Sequence, residues 1–286
     1  MAKNTIIGID VGGTNARAGV VRNQQLGDVL SIQVNSDGSV EDVLDQICGL
    51  INRAKSNDVD AIGIGVPSVV DLETGIVYDV QNIPSWREVH LRSILEDKYS
   101  IPVLVNNDAN CFALGEKHFG KGTGCQSLIG LIVGTGCAGG IIVDGKLYPG
   151  RNCGAGEFGM IPYLDGIHEH YCSGQFFPRR MGQTGAEVFQ RAVAGDQEAV
   201  EVFAEFGHHL GEAIKTVLYA YDPETIILGG SVRKAFRFFE QTMWESILSF
   251  AFSPSIKSLT IEVSELEHVA ILGAAALHYD AALTAT

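Results

Sequence analysis

The feature that most narrows what this chain can fold into is a glycine-threonine hairpin that occurs twice. The first copy reads IIGIDVGGTNARAGVV over 6–21, the second LIGLIVGTGCAGGIIVDGK over 128–146. Displaced by 121 residues, Gly13-Thr14 falls on Gly134-Thr135 and Gly19 on Gly140. Each copy reads as a strand, a tight turn and a second strand. Glycine tolerates positive φ, so successive backbone N–H groups can converge on one anion. Two such turns in one chain predict a duplicated α/β unit, its two domains flanking a cleft that clamps a nucleotide polyphosphate.

Asp10 breaks the symmetry. It ends the first strand of the first copy, and its counterpart under the same displacement is Leu131. A carboxylate beside a phosphate turn repels the phosphate unless a cation stands between them. Mg²⁺ commonly keeps several waters and takes one or two carboxylates plus phosphate oxygens. Asp10 is therefore a candidate magnesium holder, acting through water. Taken singly, either hairpin is explained by a turn that needs glycine. The pair, with Asp10 on one side only, points to phosphate.

Two other nucleotide motifs are excluded. Gly134, Gly136 and Gly139 match GxGxxG, but the dinucleotide motif requires a following helix. Here GGIIVDGK follows, which reads as strand and turn. The chain holds no GxxxxGK[ST].

Composition limits the partners. A net charge of −14 over 286 residues argues against nucleic acid, which needs basic surface. Strand-like alternation starts at Thr5 with no secretory h-region, and no apolar run nears the roughly 18 residues of a membrane helix. A cytoplasmic protein without membrane attachment is expected. The six cysteines show no CxxC pair, so they read as buried or free thiols in a reducing compartment. Cys172 with His168 and His170 is a conceivable zinc set that lacks a second paired ligand group, so zinc is not expected.

Along the chain, strands are expected at IIGIDV, ARAGVVR, VLSIQV, AIGIGVP and VLVNN. Helices are expected near 39–56, 91–99 and from Asp108 to Phe119. After the second hairpin a polar stretch rich in Gly and His runs to about Gly174. Helices then dominate to Ala220, followed by the strand TIILGG, a helix near 234–250, the strand LTIEVS and an alanine-rich helix from Leu272. This order predicts an N-terminal α/β domain over 1–118 and a larger one over 119–271. The final helix, 272–286, is expected to return to the first domain, because a face of small residues suits close docking.

Asn106-Asn107-Asp108 ends a strand and opens a helix. Polar side chains at the carboxyl end of a parallel strand commonly face ligand. An Asp there can take a proton from a hydroxyl while amides hold that hydroxyl. Helix capping explains one such residue but not three in a row. Glu157, in GAGEFG, and Glu169, in a His-rich loop, suit hydrogen bonding to a polyol, although a solvated loop would read the same way. Gly229-Gly230, between a strand and a helix, would let a nucleotide lie on backbone or would simply make the turn.

The ordered set IDVGGTN, NNDAN, VGTGCAGG, GAGEFG and IILGGSV resembles the ROK family (repressors, open reading frames, kinases) of the actin-like sugar kinase superfamily, over almost the whole chain. The resemblance implies a duplicated actin-like, ribonuclease H-like ATPase fold. It implies that Asp10, Gly12, Gly13, Thr14, Asn15, Gly134, Thr135 and Gly136 bind the phosphates of ATP and its Mg²⁺, and that Gly229 and Gly230 line the adenosine pocket. Asp108 matches the family's catalytic base, and Asn82, Asn107, Glu157 and Glu169 match its sugar contacts. The implied activity is transfer of the γ-phosphate to the 6-hydroxyl of a hexose or N-acetylhexosamine by a cytoplasmic homodimer. The chain departs from the family in one place. Met160 stands where the family's ExGH motif has a zinc-binding histidine, and the Cys-rich zinc loop is absent. A deletion that leaves Glu169 as the second sugar glutamate explains both losses and predicts a zinc-free member. A catalytically degenerate sugar-binding protein is the alternative. A DNA-binding regulator is disfavoured, because the first hairpin strand starts at once and the chain is acidic.

Overall fold

The computed structural model describes residues 5–80 and 82–284. Residues 1–4, Gln81 and 285–286, which fall in the expected first domain, the segment around Asn82 and the terminal helix, lie outside the described residues. The first copy of the hairpin forms β1 (Thr5–Val11) and β2 (Asn15–Arg22), continued by β3 (Gln25–Gln33). Strands β4 (Ala61–Val66) and β8 (Val103–Asn107) complete one sheet in the order β3-β2-β1-β4-β8. Between these last two lie a small three-stranded sheet, β5 (Val69–Asp71), β6 (Ile76–Tyr78) and β7 (Glu88–Val89), and helix α2 (Leu91–Tyr99).

The second copy forms β9 (Leu128–Val133) and β10 (Cys137–Val143), continued by β11 (Lys146–Leu147). With β14 (Thr225–Gly229) and β15 (Thr260–Val263) they run β11-β10-β9-β14-β15. Position for position this is the order of the first sheet, so the duplication read from the two hairpins is a duplication of fold. The pairs β1–β2 and β10–β11 are antiparallel, and in both sheets the strands on the other side of the first hairpin strand are parallel to it. The parallel strands read as apolar runs because both their faces are covered: all six residues of β4 and all five of β14 are buried.

Contacts divide the chain into two units. Unit 1 takes the chain up to Gln126, Gly140–Ala155 and everything from Glu265 onward. Unit 2 takes Ser127–Gly139 and Gly156–Ser264.

In unit 1, α1 (Val40–Ala54) starts where its sequence says it should. The Ser39 hydroxyl accepts the Asp42 N–H while the Asp42 carboxylate accepts the Ser39 N–H. Such a capping box is worth about 1 kcal/mol. Val43, Ile47, Leu50 and Ile51 form its buried stripe against β2 and β3. Helix α3 (Asp108–Phe119) leaves β8 without an intervening loop. Helix α10 (Val269–Thr284) packs on β1, β4 and α3 with its backbone close against glycines as well as through buried side chains such as Leu272 and Ala275. A Cβ added to Gly8 would lie 2.0 Å from the Ile271 carbonyl oxygen, and one on Gly63 1.8 Å from that of Ala274. The Asp280 carboxylate accepts the Leu147 N–H at 3.1 Å and fixes the far end of the helix.

In unit 2, the polar stretch after Gly150 is more ordered than its composition suggests. It folds into a short hairpin, β12 (Pro162–Tyr163) and β13 (Gly166–Ile167), and helix α4 (His168–Cys172). Then come α5 (Phe176–Met181), α6 (Gly185–Val193), α7 (Gln197–Tyr221), α8 (Phe236–Ile247) and α9 (Ser253–Ser258). Helices α7 and α8 pack closely because Gly207 and Gly211, one turn apart, let the α8 carbonyls of Phe239 and Met243 approach. Phe177, Phe203, Phe206 and Phe239 fill the space beneath. Among the described residues no helix is long and apolar enough to cross a membrane.

Candidate functional site

In unit 1 the candidate residues gather at the carboxyl ends of β1 and β8. Asp10 lies opposite Arg17 on β2. Burial pushes its carboxyl pKa up, and the Arg17 charge draws it part of the way back. In the other sheet the equivalent Leu131 is fully buried. The first turn is closed by Gly12 N–H donating to the Asn15 carbonyl at 2.9 Å, with Thr14 and Asn15 exposed. Gly13 lacks a side chain because Asn82 lies there: a Cβ on Gly13 would sit 2.2 Å from the Asn82 Cβ. Asn82 is held at that spot by the fully buried Ile83 and Trp86, whose backbones close the loop with bonds of 3.0 and 2.9 Å. The structure thus brings Asn82, Gly13 and Asp10 into one neighbourhood, although 72 residues separate Asn82 from Asp10 in sequence.

The NND triplet is divided between structure and exposure. Asn106 is buried, and its side-chain Oδ1 accepts the Asn107 N–H at 2.8 Å, the Asn110 amide at 2.9 Å and the Cys153 thiol at 3.2 Å. Asn107 is the N-cap of α3: its Oδ1 accepts the Ala109 N–H at 2.8 Å, and its Nδ2 donates to the Ser68 carbonyl at 3.2 Å. Asp108 is the half-buried first residue of the helix, and its Oδ1 also accepts from Ala109 N–H, at 2.9 Å. Capping therefore accounts for Asn107, and internal bonding for Asn106. Burial pushes the Cys111 thiol pKa well up, and the charges of Asp108 and Asp10 each add to that rise. A carboxylate destabilised by burial gains from a divalent cation with water in its shell, so the surroundings of Asp10 fit Mg²⁺ completed by phosphate oxygens. Among the described residues no three His, Cys, Asp or Glu side chains come together to hold a metal on their own.

In unit 2 the second turn is closed differently, by Gly134 N–H to the Gly136 carbonyl at 2.9 Å. In neither turn do the glycines adopt positive φ; they provide room instead. A Cβ on Gly136 would lie 2.6 Å from Glu169 Oε2. That oxygen accepts the Cys137 N–H at 3.0 Å, and Glu169 Oε1 accepts the Gln175 amide at 2.7 Å. Glu157 is presented by Gly156, which does require positive φ, at +97°, and whose absent Cβ would lie 1.7 Å from the Gly139 carbonyl oxygen. Gly139 N–H donates to the Gly156 carbonyl at 2.8 Å, so Glu157 follows a residue tied to β10 just as Glu169 is tied to it through Cys137 N–H. Partial burial, and then the Glu169 charge, raise the Glu157 carboxyl pKa. Helix α4, which carries Glu169, is fixed by His168: its buried ring stacks on Tyr163 at 4.4 Å and meets the Thr216 hydroxyl at 3.3 Å. Met160, at the position of the missing histidine, is 58% exposed.

Beside the second turn lies a cavity of about 560 Å³ walled by Phe177, Phe189, Phe203 and Val232, with Gly134 and Thr135 at its edge. Its volume and apolar walls suit a nucleobase and ribose. Gly229 and Gly230 do not line it; the lining starts one residue later, at Ser231. Gly230 instead takes φ +81° with the Val133 carbonyl oxygen 2.2 Å from where its Cβ would be, so the pair makes the turn that sets the wall. The aromatic walls escape a sequence reading because Phe177 and Phe203 look like core residues on apolar helix faces. Gln175 escapes because nothing marks it in sequence.

A duplicated sheet, each copy carrying a glycine turn, with one turn beside a carboxylate and the other beside an apolar cavity, is the architecture of the actin-like ATPases, and that is the fold of this chain. The chain belongs to the ROK family, whose sequence model matches residues 6–281. It is similar to a glucokinase of Halalkalibacterium halodurans, 31% identical over 274 residues that cover 82% of each chain. An N-acetyl-D-glucosamine kinase of Vibrio cholerae is 31% identical over 254 residues, covering 79% of this chain and 83% of the relative. Among solved structures, a ROK family glucokinase from Streptomyces griseus in complex with glucose and AMPPNP superposes with a TM-score of 0.80 at 28% identity, covering 96% of this chain and 99% of that one. These relatives support a sugar kinase.

Proposed function

We propose that this chain is an ATP-dependent hexose kinase that phosphorylates the 6-hydroxyl of glucose or of a related hexose or N-acetylhexosamine. The observation that carries the reading is Asp108. It stands at the carboxyl end of a parallel strand, on the first turn of α3, while Asn106 and Asn107 brace the backbone on either side of the strand–helix junction. Unit 1 would supply the base and, through Asn82 and Asn107, hydroxyl contacts. Unit 2 would supply Glu157 and Glu169 for further hydroxyls, the glycine turn for phosphates and the apolar cavity for adenosine.

Asp108 accepts the proton of the sugar 6-hydroxyl as that oxygen bonds to the γ-phosphorus. The bond to the β–γ bridging oxygen breaks and ADP leaves. Such transfers pass through a loose transition state, so placement and charge stabilisation do most of the work and a weak carboxylate base suffices. Asp10 would hold Mg²⁺ through water, and the bound ion would supply neutralisation of phosphate charge. The Phe and Val walls hold the base by burial, and the Gly13 and Gly136 gaps admit Asn82 and Glu169 against the turns.

The test is ADP release from Mg-ATP across a panel of hexoses and N-acetylhexosamines, with Asp108→Asn alongside. Sugar-dependent turnover that falls by a factor of about 10³ or more in the variant is the expected result. Near-normal turnover in Asp108→Asn refutes the assignment. Sugar binding without turnover in the unaltered protein would make it a sugar-binding protein that has lost catalysis.

A further inference from the structure

The second glycine turn is stitched to the segment 169–175 at three points. Gly174 N–H donates to the Gly134 carbonyl at 2.6 Å, the Ser173 hydroxyl to the Thr135 carbonyl at 3.1 Å, and Cys137 N–H to Glu169 Oε2 at 3.0 Å. Among the described residues the other oxygen of Glu169 is taken by one side-chain donor, the Gln175 amide at 2.7 Å. Gln175 also lines the apolar cavity, together with Gly134, Thr135 and Gly174. One half-buried side chain therefore touches both the space that fits a nucleoside and the Glu169 carboxylate, which is tied to the start of β10 as the residue preceding Glu157 is.

We infer that Gln175 is a positioning residue that fixes the Glu169 carboxylate for sugar hydroxyls and couples sugar binding to occupancy of the nucleotide cavity. The inference rests on the kinase reading above. A carboxylate with one donor on each oxygen has a fixed plane and keeps a lone pair on each oxygen for a hydroxyl. Without the amide, Glu169 keeps only the Cys137 N–H on Oε2 and its carboxylate can turn about that single bond. A nucleoside in the cavity packs on Gln175 and restricts it to the rotamer that reaches Glu169. The ordering cost is then already met when the sugar arrives, and by thermodynamic reciprocity the sugar tightens the nucleotide.

The experiment uses the full chain, Gln175→Met and Gln175→Glu. Methionine keeps the length and the cavity wall but removes the donor; glutamate sets a second carboxylate against Glu169. KM for D-glucose and for Mg-ATP, kcat, and the Kd of AMPPNP with and without D-glucose are measured, with N-acetyl-D-glucosamine as the second probe. In Gln175→Met the sugar KM should rise about tenfold, the loss of one charge-assisted hydrogen bond, while the AMPPNP Kd without sugar stays within about twofold. The sugar-induced tightening of AMPPNP in the unaltered protein should vanish. Gln175→Glu should raise the sugar KM further and recover part of it as pH falls. Unchanged sugar KM and unchanged coupling in Gln175→Met overturn the inference. So does equal weakening of both substrates with a lowered melting temperature, which marks a merely structural role. If the unaltered protein turns over no sugar, the kinase reading fails, and the two AMPPNP titrations still decide the coupling.

Discussion

The seating of α10 on strand backbone makes a sharp prediction about Gly63. An ordinary carbon–oxygen contact is about 3.4 Å, and a Cβ on Gly63 would lie 1.8 Å from the Ala274 carbonyl oxygen, about 1.6 Å too close. The obstructing atom is main chain in the middle of a helix, so no rotamer change relieves the clash. Helix α10 must lift as a body, and it is also held by Asp280 at Leu147 and by the His278 ring, 3.1 Å from the Ile62 carbonyl. Overpacking in a core costs about 1–3 kcal/mol when side chains can adjust, so Gly63→Ala should cost at least about 3 kcal/mol. At about 2–4 °C per kcal/mol for a chain approaching this size, the melting temperature should fall by 6 °C or more. Gly49→Ala is the matched control. Gly49 lies inside α1 with no heavy atom within 4 Å of its added Cβ. There the same substitution should stabilise by about 0.5–1 kcal/mol, because alanine gives up less backbone freedom in a helix. Differential scanning calorimetry of the two variants beside the parent is the assay. A Gly63→Ala melting point within 1 °C of the parent, or equal losses in both variants, refutes the account of how α10 is seated.

Other outcomes follow from charge. Burial raises the folded-state pKa of Asp10, so its ionised form opposes folding above the unfolded-state pKa, and that opposition is relieved as pH falls through the folded pKa. Asp10→Asn should therefore melt higher at neutral pH while losing turnover; an unchanged or lower melting temperature contradicts the burial. The Glu157 pKa is raised too, partly by Glu169, so the acid limb of kcat/KM should lie above the usual carboxylate range. Removing that neighbouring charge with Glu169→Gln should move the limb to lower pH, and a limb that stays put assigns it to another group.

The sequence shows the fold through periodicity and repetition. The 121-residue displacement of the two hairpins corresponds to two sheets with one strand order. Ser39, Asn107 and the apolar stripe of α1 mark where helices start. The glycines were legible as special, but for the wrong physical cause. Gly13 and Gly136 are small because Asn82 and Glu169 occupy the space where their Cβ atoms would be, and a contact between residues far apart in sequence leaves no local signature. The cavity was hidden for a related reason. Its walls are aromatic residues whose spacing on α5 and α7 is that of any buried helix face, and only the tertiary arrangement leaves a gap beside them. The order in the Gly- and His-rich stretch was equally hidden. Its stability comes from His168 stacking on Tyr163 and bonding to Thr216, partners spread over about 50 residues.

The division of the chain also dictates the timing of its assembly. Unit 2 is drawn entirely from residues before Glu265, whereas unit 1 contains both the first strand and the last helix. A ribosome adds about 5–20 residues per second, so β1 and β4 wait on the order of ten seconds for α10. During that wait, the strand backbone at Gly8 and Gly63 and the apolar surface around it have no cover from the helix. The last helix is then a latch: nascent chains halted after residue 264 should show protease-resistant unit 2 and a cleavable β1–β4 region. Resistance of both regions before α10 emerges would show that the first sheet closes without it.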